Sequence, residues 1–266
     1  MVRIHAVANQ KGGVAKTTTA INLAASLAAL GRRVLLVDLD PQANASSGLG
    51  VRNAPSPQSV YQLLVADDTD PAALLRATDM KNLTLLPASR DLAAVEVELV
   101  DMAHREYRLR QALDRVSADY DDILLDCPPS LGLLTVNALC ASHGAIIPMQ
   151  CEYFALEGIS ELVASLRRVK SFLNPGIEIS GVLLTMYDNR TMLAKTVEAD
   201  IRDFFKHRVF KTTIPRNVRL AEAPSFGKPA ILYDIKSRGA EAYLQLAKEF
   251  VHDEKTRQAQ GARQGA

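Results

Sequence analysis

Seven apolar runs recur along the chain: Ile4–Ala8, Val34–Asp38, Leu83–Pro87, Ile123–Asp126, Ala145–Pro148, Ile179–Thr185 and Val209–Ile214. They are continuous rather than alternating, which is the pattern of strands covered on both faces of a parallel sheet. Longer segments between them predict helices at Lys16–Leu30, Val60–Val65, Asp91–Met102, Arg105–Arg115, Leu131–Ala141, Glu157–Phe172, Leu193–Phe205 and Gly239–Phe250. Strand and helix in alternation give an α/β fold: a single doubly wound, mainly parallel sheet flanked by helices. Ala45–Gln58, rich in Ser, Gly, Pro and Asn, predicts a mobile loop after the second strand. One domain is expected over residues 1–251, with a polar, disordered tail over 252–266.

Composition narrows this picture. With 266 residues, 48% of them hydrophobic, the chain can bury one large core. No apolar run is long enough to span a bilayer, and Met1-Val2-Arg3 opens no signal peptide. Cys127, Cys140 and Cys151 form no C-x-x-C pair, which fits a reduced, cytoplasmic setting and speaks against iron–sulfur carriers. A net charge of +1 means that any nucleic-acid site is a local patch.

The chemistry concentrates in Asn9-Gln10-Lys11-Gly12-Gly13-Val14-Ala15-Lys16-Thr17-Thr18-Thr19. The order is strand, tight loop, helix, the setting in which backbone N–H groups and a helix N-terminus hold phosphate. Lys16 is placed to reach β- and γ-phosphates, and the Thr17 hydroxyl to ligate Mg²⁺. Lys11 is a second lysine at the same loop, more charge than one P-loop needs, so it is a candidate to serve a neighbouring subunit. Gln10 and Ala15 stand where the generic P-loop pattern has glycine. Alanine in a left-handed conformation costs about 1–2 kcal/mol. Ligands of such sheets bind beyond the carboxyl ends of the strands. Asp38, Asp40 and Asp126 therefore share the edge of the Lys16 loop, as Mg²⁺ and its waters at a nucleotide require.

Together Lys11–Thr18, Asp38-Leu39-Asp40-Pro41-Gln42, Asp126-Cys127-Pro128-Pro129-Ser130 and Ile214–Pro224 resemble the ParA/Soj chromosome-partition ATPases of the MinD/ParA superfamily. These are deviant P-loop NTPases with a K-G-G-x-G-K-[ST] loop. The motifs run in family order from about Arg3 to Phe250, with departures at Ala15 and at Ala43. The resemblance implies ATP and Mg²⁺ as ligands. Lys11, Gly12, Gly13, Val14, Ala15, Lys16, Thr17 and Thr18 would form the phosphate loop, with Pro215 and Asn217 at the adenine. Asp40 would position the attacking water, Asp126 would hold the metal shell through water, and Lys11 would reach a partner's phosphates. Adenine is favoured independently: where many GTPases carry [NT]-K-x-D, the corresponding segment is Thr185-Met186-Tyr187-Asp188.

The same resemblance implies a homodimer on ATP binding, sequence-independent binding of double-stranded DNA through Arg190 and Arg219, and a ParB/Spo0J-type partner that stimulates hydrolysis. It implies a cytoplasmic, nucleoid-associated protein. The polar stretch Glu254–Gln260 lacks the large apolar residues of a MinD-type membrane helix, so no stable membrane association is expected. Too few residues precede the first strand for an N-terminal helix-turn-helix of the kind that repressor relatives carry. The alternatives are a MinD-like membrane-surface ATPase and a DNA-binding scaffold whose hydrolysis Ala15 has impaired.

Overall fold

The central strand, β1 (Arg3–Val7), is flanked by two parallel neighbours, β5 (Asp122–Asp126) and β6 (Gly144–Gln150). In this computed structural model, which describes residues 2–52, 54–152 and 155–264, the sheet is completed by β2 (Val34–Asp38), β3 (Arg76–Ala77), β4 (Leu83–Leu86) and β7 (Glu178–Thr185). Its order is β3-β4-β2-β5-β1-β6-β7, and every pair but β3–β4 is parallel. β2 and β5 are buried at every position, as continuous apolar runs require.

Helices cover both faces. They are α1 (Lys16–Ala29), α2 (Asn44–Gly48), α3 (Val60–Val65), α4 (Pro71–Leu74), α5 (Val95–Glu98) and α6 (Arg108–Asp114). They continue with α7 (Leu133–Ala141), α8 (Ala155–Phe172), α9 (Met192–Phe205), α10 (Val218–Glu222), α11 (Ala230–Tyr233) and α12 (Arg238–Gln264). Because side chains alternate along a strand, Leu35 and Val37 enter one core with α3, α6 and α7. Val34 and Leu36 enter the other with α1 and α12. There Tyr243 is wholly buried, and its hydroxyl meets that of Thr19 at 3.1 Å.

Several expectations change. Val209–Ile214 is not a regular strand; its backbone meets β7 through a bridge at Val209 and hydrogen bonds from Phe210 N to Val182 O (2.9 Å) and from Ile214 N to Leu184 O (2.8 Å). The reason is tertiary. The N–H groups of Lys211 and Thr212 donate to the Glu249 carboxylate at 2.6 and 2.9 Å. The Phe210 ring fills the space a Cβ at Gly181 would need. The expected mobile loop Ala45–Gln58 begins instead inside α2, and Asp91–Met102 splits into a 3₁₀ turn (Arg90–Ala94) and the short α5. Helix α12 runs on to Gln264, through most of the stretch expected as a disordered tail. Among the described residues no helix is long and apolar enough to cross a membrane.

Candidate functional site

The loop from Asn9 to Ala15 joins β1 to α1 at the carboxyl edge of the sheet. Gly13 (φ 75°) and Ala15 (φ 66°) both take left-handed conformations, and Ala15 serves as N-cap of α1 with no side-chain bond. Glycine adopts that conformation freely, whereas alanine is strained there by about 1–2 kcal/mol. Ala43, N-cap of α2, repeats the device at φ 53°. Both departures from the family pattern are thus left-handed alanines in loops at the same edge.

Lys16 is the first residue of α1 and only 7% exposed; its ammonium donates to Lys11 O at 3.2 Å. Burial lowers its pKa, and the negative charges of Asp126 and Asp40 work against that fall. Strand register sets Asp38 beside Asp126. Asp38, fully buried, accepts from Ser46 N and Ser46 Oγ at 2.7 Å each and from Asp40 N at 3.2 Å. Burial raises its pKa to about 6 against the pull of those bonds. Asp38 therefore anchors α2 beneath the loop rather than facing a ligand.

Asp126 is different. It is wholly buried, and among the described residues neither carboxylate oxygen has a hydrogen-bond partner. Burial and then the Asp38 charge push its pKa well above the ordinary value; the nearby Thr17 hydroxyl and the Lys16 charge offset only part, and Thr17 completes no hydrogen bond to it. A buried carboxylate left without a donor is a poor structural element and a good partner for a hydrated cation. Among the described residues no cluster of three or more His, Cys, Asp or Glu forms a protein-made cage. A Mg²⁺ that keeps its waters and phosphate oxygens needs none, so Thr17, Asp40 and Asp126 fit that ion.

Asp40 is 8% exposed, with Oδ1 taking Gln42 N at 2.9 Å. Lys11 does not join Lys16: its ammonium reaches outward to Glu152 Oε2 at 2.6 Å, in an exposed pair at the rim. Gly12 and Gly13 are exposed, Val14 is buried, and the Thr18 carbonyl accepts from Asn22 at 2.8 Å.

Pro215 is tied to this edge through the bridge Tyr187↔Pro215, and Asn217, two residues on, caps α10 by accepting from Arg219 N at 2.9 Å. Arg190 and Arg219 are both exposed and both paired. Arg190 grips Asp188 at 2.8 and 2.7 Å; Arg219 meets Glu222 at 2.8 Å and Asp234 at 3.3 Å. Arg190 lines a groove of about 1140 Å³ with Lys211, Arg216 and Arg238, and Arg219 lies outside that lining. The sequence singled out neither Arg216 nor Arg238. It also passed over Gln150 and Thr185, the last residues of β6 and β7, which carry no motif of their own and meet the loop because both strands end at its edge.

An AAA domain model matches residues 2–179. The chain is 57% identical over 249 residues to the sporulation initiation inhibitor protein Soj of Bacillus subtilis, covering 94% of this chain and 98% of that one. It is 50% identical over 263 residues to the chromosome partitioning protein ParA of Caulobacter vibrioides, with 98% of each chain covered. A Mycobacterium smegmatis structure described as cobyrinic acid a,c-diamide synthase with bound ADP and magnesium superposes with a TM-score of 0.84 at 42% identity, over 96% of both chains. Identity of this extent, with the two-lysine loop and the strand-end aspartates in place, shows that the chain belongs to the Soj/ParA family of chromosome-partitioning ATPases.

Proposed function

We propose that this ATPase works as a DNA-bound switch: two ATP-loaded copies close face to face, hold DNA by its phosphates, and let go on hydrolysis. The observation that carries this reading is the buried Asp126, without a hydrogen-bond partner among the described residues, next to the buried Lys16. Lys16 would neutralise the β- and γ-phosphates, and the loop's N–H groups would cradle them. Bound Mg²⁺, held from Thr17 and through water from Asp40 and Asp126, would supply charge neutralisation at the phosphates. Asp40, polar and close to the loop, would orient the attacking water. Lys11 would leave Glu152 for the partner's phosphates, where it meets negative charge that grows in the transition state; its outward position and exposed pairing support that role.

Arg190 and Arg219 would contact DNA phosphates without reading sequence, which makes binding steeply salt-dependent and places the protein on the nucleoid. A ParB/Spo0J-type partner would hasten hydrolysis. The reading is tested with Asp40→Ala in a DNA shift assay. The variant should bind ATP, form more dimer on size exclusion than the parent, and stay on DNA after the parent has released it. Normal turnover in Asp40→Ala would remove this residue from the role, and loss of ATP-dependent DNA binding in the parent would end the switch.

A further inference from the structure

The carbonyls of the phosphate loop are satisfied from one side by residues outside the loop. Gly13 O accepts from Gln150 Nε2 at 2.7 Å, and Val14 O accepts from the Thr185 hydroxyl at 3.0 Å. Thr185 is fully buried and has one hydroxyl hydrogen to share between Val14 O and Met149 O, the latter at 3.1 Å. These donors end β6 and β7. The N–H groups of the same peptides are held less firmly: among the described residues the Ala15 N–H meets no acceptor, and the Val14 N–H closes the turn over Gly12 and Gly13 without reaching full hydrogen-bond geometry, although Val14 is 1% exposed. A buried N–H without a partner is rare and costly.

A planar trans peptide holds its C=O and N–H in opposite directions. Fixing Gly13 O toward Gln150 therefore turns the Val14 N–H away from β6. Fixing Val14 O toward Thr185 does the same for the Ala15 N–H, at the residue whose left-handed backbone most needs support. We propose that Gln150 and Thr185 are positioning residues that aim the Val14 and Ala15 N–H groups at the phosphates of the nucleotide. The inference rests on the reading of this loop as the phosphate site. It assigns to two strand ends the pre-organisation that the glycine-poor loop cannot supply alone. Gln150 also donates to Met186 Sδ at 3.1 Å, where the backbone is again left-handed (φ 49°), so the loop is braced against the segment leading to Arg190.

The test measures binding of ADP and of inorganic pyrophosphate by calorimetry, with the melting temperature of the ligand-free protein as a control. Thr185→Val removes the hydroxyl and keeps the shape; Thr185→Ser keeps the hydroxyl; Gln150→Leu removes the other donor at a half-buried position. Thr185→Val should weaken both ligands about tenfold and Gln150→Leu about fivefold, while Thr185→Ser stays within about twofold of the parent. Pyrophosphate carries no base, so an effect on ADP alone would place the action at the base side and overturn the proposal. Thr185→Ser as weak as Thr185→Val would overturn it as well, since packing rather than the hydroxyl would then matter. Lys16→Ala separates the two readings. If it binds ADP like the parent, the phosphate-site assignment fails. If it loses ADP while Gln150→Leu and Thr185→Val bind normally, the positioning role fails alone. Should Thr185→Val not fold, Gln150→Leu decides.

Discussion

The phosphate edge and the arginine groove both gather charge, and they hold it by opposite means. At the edge, Lys16 and Asp126 are buried, and Asp126 has no hydrogen-bond partner among the described residues. At the groove, the Arg190 side chain is 85% exposed and already tied to Asp188. Buried charges interact strongly and cost folding free energy; exposed pairs are screened and contribute little. The contrast teaches where each function draws its energy. The edge is built to gain when a ligand supplies the missing charge. The groove holds its guanidinium in a weak, exposed pair that costs little to break.

The sharpest break of that comparison is Lys16→Ala. Removing the buried ammonium should cost about a hundredfold or more in ATP affinity, because a charged hydrogen-bond donor is lost from a desolvated site. A fluorescent-nucleotide titration checks it, and a change as small as that of a surface lysine would show that the edge behaves like the groove.

Asp126→Asn comes next, and it separates stability from binding. Its raised folded-state pKa means that the native chain binds more protons than the unfolded chain above the ordinary carboxylate range. Its favourable contribution is therefore full below about pH 4 and is lost as pH rises through the raised value. Asp38, at about 6, adds a loss of the same sign between about pH 4 and 6. At pH 8 the ligand-free asparagine variant should be more stable than the parent by roughly 1–4 kcal/mol, and the two should converge near pH 4. Its melting temperature should gain far less from ATP and Mg²⁺. Equal melting profiles at both pH values would mean that the carboxylate is not a buried liability.

Arg190→Glu in the groove and Arg219→Glu outside its lining should each weaken DNA binding and flatten its log–log salt dependence by about one unit, with ATP affinity unchanged. If Lys211, Arg216 and Arg238 carry the contacts instead, the slope will fall only when those are changed. The smallest effect belongs to the strained loops. Ala15→Gly or Ala43→Gly relieves about 1–2 kcal/mol of strain, of which roughly 0.4–1 kcal/mol is returned through the freer unfolded chain. Chemical denaturation should show each variant equal to the parent or slightly more stable. A clear loss in either would mean that the left-handed alanine is unstrained.

The two regions also differ in how far they could be read from the chain. The phosphate edge was legible because a two-lysine motif, a helix start and three strand-end aspartates are local patterns joined by one topological rule. What escaped was the division of labour among the aspartates. Asp38 and Asp126 look alike in sequence, and only the fold shows Ser46 bonding the first while the second has no hydrogen-bond partner among the described residues. Val209–Ile214 misled for a similar reason. Its composition is that of a strand, but Glu249, 38 residues away from Lys211, takes the N–H groups a ladder would use. Arg190 and Arg219 stood out through resemblance, and the acids that neutralise them lie close by in sequence, Asp188 two residues before Arg190 and Glu222 three after Arg219.

That irregular segment has a consequence for how copies of the chain can meet. A seven-stranded sheet left open at both sides invites end-to-end growth through unpaired backbone groups. Here one margin finishes in β3, two residues long, and the other lies under the chain from Val209 to Pro215, whose bridges and hydrogen bonds occupy β7 without extending it. Neither margin offers a template for another strand. Growth of the sheet into a fibre by strand addition at its margins is thereby disfavoured by the fold itself.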